Sequence, residues 1–227
     1  MVGEQVCRYN ALRRELTPVN TLHARLVLLL VASAALMPGH TLAQEKRIPS
    51  PPGSSATQVG GRHNDREGYE GGRWIEITYG RPIKRGRDLF GPPDYPDFLG
   101  DGADVWRAGA NVSTQLMSEV PLVMGGTTIP PGTYTVFIDL KIDDKWTLII
   151  SRWPAQTTYD EKNKAAIYGA YGYTPDKDVV RVPMQVEHAT HSFDQLSWQF
   201  LDMTEQGGRL ALIWDKKLAS VPFTVGR

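Results

Sequence analysis

From residue 73 onward, apolar and polar side chains alternate. In residues 73–79 the alternation puts Ile75, Ile77 and Tyr79 on one face, the pattern of a half-buried strand. Residues 120–124 and 127–129 flank Gly125-Gly126, and paired glycines supply the positive φ of a two-residue hairpin turn. Pro130-Pro131-Gly132 turns the chain into residues 133–140, where Tyr134, Val136, Ile138 and Leu140 alternate with Thr133, Thr135, Phe137 and Asp139. Asp143-Asp144 makes the next turn, before a strand over 145–151. Further strands are predicted at 179–187, 192–202, 209–214 and 219–225, separated by turns such as residues 205–208. A helical period shows only for a turn or two near 101–109 and 160–166. Short strands spaced about 8–12 residues apart predict an all-β fold, an antiparallel β-sandwich of jelly-roll-like or Greek-key type with little helix. Its expected core holds Ile75, Ile77, Val136, Ile138, Leu148, Ile150, Phe200, Leu212 and Trp214.

The N-terminus carries a different pattern. Arg25 precedes an unbroken apolar run, residues 26–37, which ends at Pro38-Gly39 and is followed by Ala43. As a helix this run would be about 18 Å long, against a hydrocarbon core of about 30 Å, so it is too short to span. A basic start, a short apolar core and a small residue at Ala43 predict a signal peptide over residues 1–43, with cleavage before Gln44 and export to the periplasm or the exterior. Cleavage would remove Cys7, the single cysteine, and leave a chain without disulfides. Residues 44–72 are rich in Pro, Gly and Ser and low in buriable side chains, so they read as a flexible linker. The β-sandwich domain is then expected over 73–227.

Charge narrows the partners. The chain of 227 residues has 25 basic and 25 acidic side chains, which argues against nucleic acid as a partner. The excised segment would take four Arg and two Glu with it, leaving a slight acidic excess. Hydrophobic residues make up 41% and mean hydropathy is −0.32, values of neither a membrane-embedded bundle nor a wholly disordered chain. No stable membrane span is expected once the signal is removed.

Several motifs carry a resemblance. Residues 74–91 (Trp-Ile-Glu-Ile-Thr-Tyr-Gly-Arg-Pro-Ile-Lys-Arg-Gly-Arg-Asp-Leu-Phe-Gly) and Val105-Trp106-Arg107-Ala108-Gly109-Ala110-Asn111 are similar to the opening of the bacterial domain of unknown function family 2911 (DUF2911). So are residues 129–137, 177–182 and the closing Leu210-Ala211-Leu212-Ile213-Trp214. The resemblance covers roughly residues 73 to 225. It implies an exported β-rich domain and no particular activity.

Candidate chemistry centres on arginine. Arg81, Lys84, Arg85 and Arg87 put four cations into seven residues of a loop pinned by Pro82 and loosened by Gly86. Arg107 and Asn111 flank Gly109 in the next motif. Guanidinium forks suit bidentate recognition of carboxylate, phosphate or sulfate. Arg81, Arg85, Arg87, Trp106, Arg107 and Asn111 are therefore the candidate ligand-binding set. The alternative is internal pairing with Asp88, Asp101 or Asp104.

Other features point less sharply. His188 and His191, three apart, would fall on opposite faces of a strand, and they lack the order of a zinc hydrolase. Asp143 and Asp144 suit a turn on turn chemistry alone, and Ser113, Ser151 and Ser192 lack a nucleophile-elbow context. Trp74, Trp146, Trp198 and Trp214 are expected in core or cross-strand packing. Trp106 and Trp153, with Tyr159, Tyr168, Tyr171 and Tyr173, lie in less regular segments and could stack on a sugar. No motif calls for a metal or another cofactor, and none pairs a nucleophile with a base. The leading reading is a cell-envelope binding module for a small polar, anionic or saccharide ligand. A structural or assembly subunit of the envelope and a carboxylate-based hydrolase are the alternatives.

Overall fold

The computed structural model describes residues 48–100, 102–160 and 170–226. The expected signal peptide, with Cys7 and the Gln44 boundary, lies outside the described residues. So do Asp101, Tyr168 and most of the expected helical turn at 160–166.

Among the described residues twelve strands form two packed sheets and a small hairpin, with every strand pair antiparallel. The strands are β1 (Pro52–Val59), β2 (Arg62–Asn64), β3 (Gly68–Glu70), β4 (Arg73–Gly80), β5 (Thr114–Ser118), β6 (Leu122–Met124), β7 (Thr127–Ile129), β8 (Gly132–Asp139), β9 (Thr147–Ser151), β10 (Asp178–Pro183), β11 (Gln185–Thr204) and β12 (Gly207–Val225). One sheet has the order β1-β4-β5-β8-β9-β10, the other β11-β12-β6-β7, and β2-β3 pair with each other. A short helix, α1 (Tyr95–Gly100), precedes β5. This is the antiparallel β-sandwich that the alternation predicts. Gly125 and Gly126, with φ of 53° and 81°, make the β6–β7 turn in the left-handed conformation expected of them.

The core lies between the sheets. Ile75, Ile77, Val136, Ile138, Leu148, Ile150, Leu212 and Trp214 are buried as expected, and Phe200 is half-buried against them. Trp146 and Trp198 are also buried, but Trp74 is 45% exposed. With Ile75, Ile77 and Tyr79 facing inward, a period of two places Trp74 on the outer face. In β8 both faces are covered, because Phe137 and Ile149 pack under Val105, Ala170 and Tyr173 in a second cluster.

Two boundaries differ from expectation. Residues 44–72 are not a linker throughout, since β1 pairs with β4 along its whole length, from Pro52↔Gly80 to Val59↔Arg73. Side-chain burial is not what orders this segment. An edge strand of Ser, Ala, Thr and Gln is held instead by its main-chain ladder, where an unpaired amide is costly. The sandwich therefore starts at β1 and not at residue 73. The second difference is length: strands expected as separate pieces run on as β11 and β12. Their polar stretches are absorbed by register shifts between His188 and Phe193 and between Phe193 and Ser197, with Asp215 at a φ of 50°.

Candidate functional site

The site is built where β4 ends. Gly80 is followed by residues 81–88, which run beside β11: Ile83 bridges Gln195, Leu196 N–H donates to Pro82 O, and Lys84 N–H donates to Asp194 O. Opposite lies the segment leading into β5. Trp106 pairs with Ile138 through main-chain bonds in both directions, and residues 107–111 then fold back onto Gly80.

That fold-back is conformationally costly. Ala108 and Asn111 have φ of 54° and 66°, a region that asparagine tolerates and alanine seldom visits. Several bonds hold it. The Trp198 indole N–H donates to Ala108 O at 2.9 Å, and Thr114 Oγ1 donates to the same oxygen at 3.2 Å. Ala110 N–H donates to Gly80 O, and Asn111 Nδ2 donates to Pro49 O and Ser50 O at 2.8 and 3.0 Å. Gly80 is required here because a Cβ on it would lie 1.8 Å from Ala110 O.

Between these segments is a cleft of about 260 Å³ lined by Arg87, Arg107, Asn111, Trp106, Trp214 and Tyr159, with Ser50, Pro82, Leu99, Gly109 and Ala110. Trp106 and Trp214 stack with ring centroids 6.1 Å apart and planes at 16°. The described lining has two guanidinium groups and no carboxylate. A second hollow of about 380 Å³ shares Trp106 in its lining, with Asp97, Asp104 and Lys141 in its wall.

The expected site residues divide. Arg87, Trp106, Arg107 and Asn111 meet at the cleft; Arg81 and Arg85 are not among its lining. Arg81 crosses Gly53, whose missing Cβ leaves room for it, and donates to Leu196 O and Ser197 Oγ at 3.4 and 3.3 Å. Arg85 is exposed, with its main-chain N–H on Asp194 Oδ1 at 3.0 Å. Arg87 turns back on its own loop, with Nε on Lys84 O at 2.9 Å and Nη2 on Ile83 O at 2.8 Å. Main-chain carbonyls fix that guanidinium without neutralising it. Trp106 is only 3% exposed and belongs to the core, so its ring is a floor for the cleft and not a stacking platform.

Of the acidic partners expected, Asp88 is engaged elsewhere. Asp88 caps its own turn, accepting Gly91 N–H at 3.0 Å. The loop's ion pair is Lys84 Nζ–Asp215 Oδ1 at 2.5 Å, with side chains 19% and 11% exposed, and Ser192 Oγ donates to the same carboxylate at 2.6 Å. Burial works to raise the Asp215 pKa. The hydrogen bonds from Lys84 and Ser192 and the charges of Lys84 and Lys216 outweigh it and hold the carboxyl below its ordinary 3.8. A depressed folded pKa contributes stability that is full above the unfolded value and is lost as pH falls through the folded one. Urea unfolding at about pH 7 and about pH 3 should therefore show a smaller acid loss in Asp215→Asn than in wild type. Equal losses would assign the acid sensitivity to other carboxylates.

Remaining candidates are engaged elsewhere. Asp144 accepts Lys217 Nζ at 2.6 and 2.7 Å and lies 3.0 Å from His188 Nε2. His191 Nδ1 is 2.9 Å from Thr190 Oγ1. Asp139 pairs with Arg181 and Lys141, each at 2.9 Å. Among the described residues no group of three or more His, Cys, Asp or Glu could hold a metal, and no helix is long and apolar enough to cross a membrane. Of the cleft residues, Trp214 and Tyr159 stood out in the sequence as aromatic, with nothing to join them to Arg107. Ser50 and Leu99 carried no signal, and Pro82 stood out only as the residue that pins the cationic loop.

Comparison with known proteins gives one match. A family model described as a protein of unknown function (DUF2911) matches residues 64–223. No curated protein and no solved structure matches the chain.

Proposed function

The chain belongs to the DUF2911 family, whose function is unknown, and from the geometry of its cleft we propose that it is an exported cell-envelope binding module for a small anionic ligand. The observation that carries this reading is the cleft lining, where the exposed Arg87 guanidinium, held only by main-chain carbonyls, meets Arg107 and Asn111. Arg87 is pre-set by two main-chain acceptors, which lowers the entropy lost when it binds an anion. Asn111 and Tyr159 add polar groups beside the cations, and the Trp106–Trp214 floor excludes water from one side. At about 260 Å³ the cleft is smaller than sites for drug-sized ligands, which suits one carboxylated sugar, phosphate or sulfate. Export is the expectation from residues 1–43.

Calorimetric titration with sulfate, inorganic phosphate and glucuronate tests the reading. Wild type should bind at least one of them saturably, and Arg87→Ala should weaken that binding by about tenfold or more, the size of a lost charge-assisted hydrogen bond. Because Arg87 is exposed and held only by loop carbonyls, its melting temperature should hardly change. Absence of saturable binding, or equal affinity in Arg87→Ala, would overturn the reading.

A further inference from the structure

The chain ahead of β1 reaches the arginine cleft. Arg81 N–H donates to Pro51 O at 2.9 Å, which extends the β1–β4 ladder one step beyond Pro52↔Gly80. Residues 48–50 lie outside any strand, and Pro49 and Pro51 have no N–H with which to extend the ladder further. Ser50 bends this arm. Its φ of 61° is left-handed, a conformation that serine seldom adopts unless surrounding bonds hold it. So bent, Ser50 lines the cleft with Arg87, Arg107 and Asn111.

The holding bonds come from one side chain. Asn111 Nδ2 donates to Pro49 O at 2.8 Å and to Ser50 O at 3.0 Å, across 62 and 61 residues of chain. A carboxamide nitrogen has two protons, and these two carbonyls take both. The Asn111 side chain therefore has no proton left for an anion in the cleft, and its Oδ1 is an acceptor only. Asn111 also has a φ of 66°, which asparagine and glycine tolerate better than other residues. One residue thus meets two needs, a left-handed turn and a two-pronged clasp. Glycine would meet only the first.

Resting on the anion-binding reading above, we propose that Asn111 is a positioning residue of that site, which holds the arm of residues 48–51 as a wall of the cleft before the anion arrives. An arm already in place needs no ordering when the ligand binds. Once released, it must be ordered during binding, and the apparent affinity falls with the fraction of molecules in which the wall is formed. The coupling is reciprocal: if an ordered arm favours the anion, the anion favours an ordered arm by the same factor. A clasp that served stability alone would show no such link.

Two variants release the arm from opposite sides. Asn111→Gly removes the clasp and keeps the turn, whereas Ser50→Pro forces a negative φ on the arm and leaves Asn111 in place. Calorimetric titration with sulfate, inorganic phosphate and glucuronate is read together with backbone ¹⁵N relaxation of the Ser50 amide. In wild type that amide should be as ordered as those of β1 and should shift saturably with the calorimetric dissociation constant. In Asn111→Gly it should be mobile without anion and regain part of its order at saturation. Both variants should bind the anion about three- to tenfold more weakly, the range for one net hydrogen bond, with melting temperatures little changed. Wild-type affinity in both variants would overturn the proposal and leave the arginine cleft intact. So would a Ser50→Pro protein that binds as tightly as wild type, since its freed Asn111 amide would then be serving the anion directly, or an Asn111→Gly arm as ordered as in wild type. Absence of saturable binding to wild type would instead overturn the cleft reading, and this proposal with it.

Discussion

Trp198→Ala is expected to destabilise the protein by about 3–5 kcal/mol, the range for deleting a large aromatic side chain from a packed core. The side chain is fully buried in β11 opposite Leu212. Its indole N–H is also one of two donors on Ala108 O, so the variant weakens the bonding that holds residues 107–111 in their left-handed turn. Anion affinity should fall together with stability. Trp198→Phe separates the two effects: it keeps most of the apolar volume, removes the donor and should cost about 1–3 kcal/mol. Equilibrium unfolding in urea reads both variants. A loss under about 1 kcal/mol for Trp198→Ala would contradict the packing described here.

Gly80→Ala should be nearly as damaging by the opposite route. The added Cβ would sit 1.8 Å from Ala110 O and 2.7 Å from its carbonyl carbon, and neither is the movable end of a side chain. Either β4 shifts in its ladder or residues 108–111 lift away. Overpacking of this kind costs about 1–3 kcal/mol, and a clash between two main-chain segments belongs at the top of that range. Lifting the turn displaces Arg107 and Asn111, so the cleft should lose anion affinity even where the fold survives. Gly86→Ala is the matched control. Its φ of 72° carries a left-handed penalty of about 1–2 kcal/mol, but nothing lies within 4 Å of the new Cβ, and binding should persist. Thermal melts and titration of the two variants side by side check both statements.

These variants also show what the sequence made legible. The alternation at Ile75, Ile77 and Tyr79 marks the inner face of β4 in the sequence itself, because burial on one face of a strand imposes a period of two. The Gly125-Gly126 turn was readable for a similar local reason. Edge strand β1 was not, since its stability comes from pairing with β4, and a main-chain ladder leaves almost no side-chain signature. The site followed the same division. Arg107 and Asn111 were selected together because they flank Gly109, and both do line the cleft. The four cations of residues 81–87 looked like one cluster, but they go to different partners, some of them far along the chain. Lys84 meets Asp215, 131 residues on, and Arg81 meets Leu196 and Ser197, 115 and 116 residues on, whereas Arg87 turns back on its own loop. Asp88, expected with Asp101 and Asp104 as an acidic partner, is spent on its own turn. Contacts between sheets depend on register and bulges, and one sequence does not encode them in any short window.

The central claim is that Arg87 and Arg107 act on one bound anion, and nuclear magnetic resonance of the arginine side-chain Nε–Hε groups tests it most directly. Titration of the ¹⁵N-labelled protein with glucuronate, sulfate and phosphate should shift the Arg87 and Arg107 signals saturably and with a common dissociation constant. Arg181 and Arg209, held by carboxylates on other parts of the surface, should stay in place. Shifts that grow linearly without saturating, or that appear equally at Arg181 and Arg209, would contradict the claim.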